Sequence, residues 1–122
     1  MPADVPTIVA TSGGMRRGVR TAVAFGPLVL HAIDLSGVSG RRPRLCHIGT
    51  AMGDQRAWQA ELDDAARSAG IELVHLPLFP MPPTDDLRGM LLEQDAVWVG
   101  GGSVANLLAL WRLHGLDAAL AD

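Results

Sequence analysis

Residues 95–117 read DAVWVGGGSVANLLALWRLHGLD, and this stretch decides the fold. Ala96-Val97-Trp98-Val99 is a short apolar run of the kind a buried strand requires. Gly100-Gly101-Gly102 turns the chain. Val104, Leu107, Leu108 and Trp111 then recur at helical spacing, with Ser103 as the natural N-cap of a helix over 104–114 and Gly115 closing it. Asp117 is expected to cap one more helix, running to Asp122. A strand, a glycine turn and a helix N-terminus in this order place backbone N–H groups at the carboxyl end of a sheet, where open α/β sheets bind ligands.

The same alternation runs upstream. PTIVAT at 6–11 is expected as the first strand. Ser12-Gly13-Gly14 follows as a turn, and Met15 to Arg20 as a basic loop that either holds an anion between its glycines and arginines or faces water. Phe25 to Leu35 is expected to be helical, with Pro27 in its first turn and Leu28, His31, Ala32 and Leu35 on one face. Arg44 to Ile48 is the second strand. Asp54 is placed to cap the next helix, whose stripe is Trp58, Leu62, Ala65, Ala66 and Ala69, with Asp63 off the stripe and Gly70 at its end. Ile71 to Leu78 is the third strand, and Pro80, Pro82 and Pro83 enforce a rigid connector. Thr84 is expected to cap a short helix over 85–93 before the fourth strand at 96–99. This β-α repetition predicts an α/β fold with a mostly parallel sheet and helices on both faces.

Composition narrows the function classes. The 122 residues suit one domain, and 48% apolar content argues against disorder. A net charge of −3 without a basic stripe gives no sign of a nucleic-acid partner. No run approaches the roughly 18 apolar residues of a membrane span, and no signal peptide is apparent. Cys46, the single cysteine, fits a reducing compartment, and a cytoplasmic protein is the expectation. His31, His47, His75 and His114 lack metal-ligand spacing, so neither a metal nor another cofactor is expected. His47 and His75 are expected to be packed strand residues, Cys46 a buried thiol, and Trp58, Trp98 and Trp111 core. No G-x-S-x-G elbow occurs.

The chemistry-bearing candidate is the glycine turn. The N–H groups of Gly101, Gly102 and Ser103 would stand at a helix N-terminus, suited to an anion or a developing oxyanion. The alternative is a turn required only for tight strand–helix packing. Gly100, Gly102 and Ala105 also match G-x-G-x-x-A, a weak dinucleotide-binding signal because it follows the fourth strand and lacks the next one.

Three segments together resemble the N-terminal half of peptidase family S51, which includes dipeptidase E and, more distantly, cyanophycinase. They are RLCHIGTAMGD at 44–54, the strand at 71–79, and the G-G-G-S…L-L…W-R…G-L-D block at 96–117. The resemblance implies a class I glutamine-amidotransferase-like (flavodoxin-like) three-layer α/β/α domain, present here as its N-terminal part. It implies a cytoplasmic, metal-independent serine hydrolase that, in the dipeptidase branch, cleaves after an N-terminal aspartate. By motif position Gly102 would supply an oxyanion-hole N–H, and Gly101 and Ser103 would line the substrate site. Ser103 stands where the family often has Asn, so its reach differs.

The family's nucleophilic Ser, His and acid would all lie beyond Asp122. The chain alone is therefore expected to be inactive, with one sheet edge open to a second copy or a C-terminal fragment. One alternative is a non-catalytic short paralogue that dimerises and binds a small anion at 101–103. A weaker one is nucleotide binding.

Overall fold

In a computed structural model, which describes residues 2–122, Arg44–Ile48 is the middle strand of a parallel sheet. Its last four side chains, Leu45 to Ile48, are all buried. That is the pattern of a strand covered on both faces. The elements in order are β1 (Met15–Arg17), β2 (Val23–Phe25), α1 (Pro27–Leu35), β3 (Arg44–Ile48), a 3₁₀ turn (Thr50–Met52), α2 (Arg56–Ala69), β4 (Glu72–His75), α3 (Leu87–Leu92), β5 (Ala96–Val99), α4 (Val104–His114) and α5 (Leu116–Ala121). The sheet order is β4-β3-β5, with Cys46 opposite Val74 on one side and Val97 on the other. The fold is thus α/β, a mostly parallel sheet flanked by helices.

Side-chain alternation along β3 divides the core in two. Leu45 packs with Phe25, Val29, Ile33, Ala65, Ala66 and Ile71 under α1 and α2. Cys46 and Ile48 pack with Leu76, Leu78, Leu87 and Leu116 under α3 and α5. At the amino end of the sheet, Arg41 grips Asp95 through two bonds of 2.8 Å, and the Arg44 N–H donates to the same carboxylate at 2.7 Å. The Arg41 hydrogen bond holds the Asp95 carboxyl below its ordinary range.

Several expectations are corrected. Residues 6–11 form no strand: Ile8 is 95% exposed, and Thr7 satisfies itself locally on the Val5 carbonyl. β-branched composition alone does not make a strand, and among the described residues no backbone hydrogen bond ties 6–11 to the nearby edge of β5. The segment runs past the outer edge of β5, along a groove of about 960 Å³ also lined by Leu28, Ala32 and Val97. Part of the basic loop is instead an antiparallel hairpin, Met15 pairing with Phe25, and its Arg16 and Arg17 are exposed. α1 buries Val29 and Ile33 and leaves Leu28 half exposed. On α2, Ala69 is exposed.

The third strand ends at His75, because Leu76 and Leu78 turn into the second core cluster. Asp86 caps α3 by accepting from the Gly89 N–H, while the Thr84 hydroxyl accepts from the Asp86 N–H. Gly115 starts α5, and Asp117 sits within its first turn.

Candidate functional site

The glycine turn is built as the extension of β5. The Gly100 N–H donates to the Ile48 carbonyl at 3.0 Å, continuing the β3–β5 ladder by one step. The Ser103 N–H donates to the Ala51 carbonyl at 2.8 Å, docking the turn onto the 3₁₀ turn after β3. Between these ties Gly102 sits at φ 142°, and a Cβ there would lie 2.3 Å from the Ala51 oxygen. Glycine is therefore obligatory at 102 on two grounds, backbone angle and close approach. Gly101 has open space where a side chain would be.

Ser103 caps α4, its hydroxyl accepting from the Asn106 N–H at 3.2 Å. Both its hydroxyl and its N–H thus hold the turn in place. Among the described residues no hydrogen bond engages the N–H of Gly101 or Gly102. These exposed donors stand at the start of an eleven-residue helix, whose dipole adds partial positive charge there. On the far side the Trp111 ring N–H donates to the buried Thr50 hydroxyl at 3.1 Å, clamping α4 to the 3₁₀ turn.

Two neighbouring residues take roles that sequence reasoning missed. Asp54 does not cap α2, whose N-cap is Gln55 without a side-chain bond. Asp54 lies at φ 52°, is 7% exposed, and its Oδ2 accepts from the Leu78 and Phe79 N–H groups at 2.8 and 3.1 Å. It thus joins the β3 turn to the segment after β4. An aspartate just before a helical stripe looks like an N-cap locally, but its left-handed backbone and the bonds from residues 78 and 79 commit the carboxylate elsewhere.

The second is a file of polar groups under the sheet's carboxyl end. His47 Nδ1 lies 3.0 Å from His75 Nδ1, and His75 Nε2 lies 2.8 Å from Asp63 Oδ1. Asp63, which the helical stripe left facing water, instead reaches in to β4. His47 is 1% exposed and packs against Trp98, ring centres 5.0 Å apart and planes tilted by 46°. Burial, with His75 nearby adding and Asp63 opposing, pushes the His47 pKa down to about 4. Register alone carries a signal for this pair, since β3 and β4 place His47 opposite His75.

Gly101, Gly102 and Ser103 are therefore brought together with the turns after β3. The Arg16–Arg17 hairpin is a separate element. Cys46 is wholly buried, and burial raises its thiol pKa to about 12, so it is no nucleophile. Among the described residues no group of three or more His, Cys, Asp or Glu side chains is placed to hold a metal ion.

The chain is similar to a Bacillus subtilis (strain 168) protein named uncharacterized peptidase YgaJ, with 38% identity over 81 residues. The match covers 66% of this chain and 35% of that relative, so the chain spans about a third of the relative's length. Among the described residues no helix is long and apolar enough to cross a membrane. Residues 27–122, from the start of α1 through the glycine turn to α5, match the model of Peptidase family S51, and the chain belongs to that family.

Proposed function

We propose that this chain carries the oxyanion-binding turn of a serine-type peptidase of the dipeptidase E kind, acting on short peptides that begin with aspartate. The Gly102 N–H donates to the oxyanion, and Gly101 and Ser103 line the substrate's path. The observation that carries this reading is the pair of unclaimed N–H groups at 101 and 102, in a turn pinned on both sides by the Ile48 and Ala51 carbonyls. Preorganised donors of this kind cost no rearrangement when charge develops, and each is worth about 10²–10³ in rate. Residues 1–122 hold no G-x-S-x-G elbow, so no serine nucleophile is assigned among them. The 122-residue chain alone binds but does not turn over peptides.

Amide NMR of the chain titrated with N-acetylaspartate tests the binding half. The resonances of Gly101, Gly102 and Ser103 are expected to move together. Shifts confined to the Arg16–Arg17 hairpin would place the anion elsewhere and overturn the assignment. Gly101→Ala, which has room for its methyl, is expected to weaken the response without unfolding the chain. The catalytic half is tested with a polypeptide that joins these residues to an elbow-bearing S51 C-terminal half: hydrolysis of aspartyl dipeptides is expected, and its failure with intact binding would reject the substrate class.

A further inference from the structure

The file of Asp63, His75 and His47 ends beneath the glycine turn, and its hydrogen bonds dictate where its protons are. An ionised carboxylate only accepts, so His75 Nε2 must donate to Asp63. In a neutral His75 the other nitrogen, Nδ1, is then a lone pair. His47 Nδ1, at 3.0 Å from it, must be the donor. A neutral His47 is left with a bare lone pair on Nε2. That atom is buried and has no partner among the described residues, as is Asp54 Oδ1.

Two glycines pack directly against the ring edge that carries it, and a Cβ on Gly49 would meet His47 Cε1 at 2.9 Å. A Cβ on Gly100 would lie 3.5 Å from His47 Nε2, and a Cβ on Gly49 would lie at the same 3.5 Å distance and 3.7 Å from Asp54 Oδ1. Gly100 opens the glycine turn, so the unpartnered Nε2 lies directly beside the first residue of that turn. A buried acceptor without a donor is destabilising, and a structure tolerates it where a ligand or proton completes it.

We propose that His47 is the proton acceptor at the floor of the glycine turn, backed by His75 and Asp63 as positioning residues, and that it takes a hydroxyl-bearing ligand or water. The ligand's O–H donates to Nε2. When the proton transfers, the O–H bond breaks with its electron pair left on oxygen, at the positive end of α4, and an N–H bond forms at Nε2. The Nδ1 proton of His47 passes in the same step to His75 Nδ1. The positive charge then rests on His75 against the Asp63 carboxylate rather than on the buried His47 ring. The strong resistance of His47 to holding a charge itself agrees with this division of labour. The titratable groups facing His47 are His75 from β4, Asp63 from α2 and Asp54 from the turn after the 3₁₀ segment, while β5 contributes the neutral Trp98. The relay rests on its own contacts; only its use on a bound ligand rests on the proposed role of the turn.

Nitrogen-15 NMR of the histidine rings in the 122-residue chain tests it without any substrate, so the relay and the turn's anion binding can fail separately. At neutral pH, His47 Nε2 and His75 Nδ1 are expected to be the unprotonated nitrogens. On acidification both are expected to gain protons in one joint transition. A proton found on His47 Nε2 at neutral pH, or two rings titrating independently, would overturn the proposal. Asp63→Asn, at a partly exposed position, is expected to lower the proton affinity of the joint transition about tenfold or more. Gly100→Ala, whose methyl meets Nε2 at ordinary contact distance, is expected to leave the tautomers in place and lower the same transition. An unmoved transition in Gly100→Ala would place proton uptake away from the turn and reject the link.

Discussion

Asp54 shows how much one buried carboxylate can hold. Its Oδ2 accepts two backbone N–H groups from residues 78 and 79, far along the chain, in a site that excludes water. Hydrogen bonds to a charged acceptor contribute more than neutral ones, and removing the acceptor strands two donors. Asp54→Ala is therefore expected to cost about 2–4 kcal/mol, read from the urea midpoint. Gly102 and its neighbour offer a sharper contrast. Gly102→Ala must push the Ala51 carbonyl aside while holding a strained φ, and is expected to lose more than about 2 kcal/mol. Gly101→Ala meets nothing and is expected to stay within about 0.5 kcal/mol of the parent. Equal losses from the two substitutions would contradict the docked turn. Cys46, wholly buried with a thiolate disfavoured by burial, is expected to resist iodoacetamide until the chain is unfolded.

Among the elements, α4 is the one whose placement makes the site. Its start is fixed by the Ser103 cap, and its length is held by the Trp111–Thr50 bond. Of its expected apolar stripe only Leu107 is buried; Val104 is 64% and Leu108 38% exposed. The helix is held by Leu107, by Leu110 and Trp111 against the second core cluster, and by these two polar ties. Ser103→Ala is expected to cost about 1 kcal/mol of stability and to loosen the turn, visible as faster hydrogen exchange at Val104 to Asn106. Unchanged exchange there would mean that the Ala51 carbonyl alone holds the turn. By contrast β3 needs no such devices: ladder bonds on both sides and burial on both faces fix it.

For the molecule as a whole, His47 ties stability to pH. Its folded pKa of about 4 lies below the ordinary 6.5, so the unfolded chain binds more protons between those values. Stability from this group is full above about pH 6.5 and falls as the pH drops toward 4, by about 3 kcal/mol in total. Urea unfolding at neutral pH and near pH 4 is expected to show that loss, and His47→Phe is expected to flatten it. A midpoint as high at pH 4 as at pH 7 would show that the ring accommodates its charge. The sheet carries a free edge at β5, where Val97 and Val99 are 39% and 42% exposed beside the groove along residues 3–11.

The sequence by itself determined the elements whose signals are local and strong. β3 at 44–48, β5 at 96–99 and α4 at 104–114 lie where apolar runs, the Ser103 cap and the closing Gly115 put them, and the block at 96–117 points to the family. Periodicity and capping act within a few residues, so they can be read without neighbours. Only the tertiary structure decided what depends on distant partners. Residues 6–11 have strand-forming composition but make no ladder bonds to the edge of β5, and all but Val9 are exposed. Asp54 and Asp63 look like cap and surface residues until residues 78–79 and His75 arrive to bind them. The same holds for the glycine turn. Its three glycines were legible as a ligand-binding turn, but the obligatory φ of Gly102, the two unclaimed N–H groups and the lone pair of His47 beneath it exist only because the turns after β3 and β5 are packed against each other.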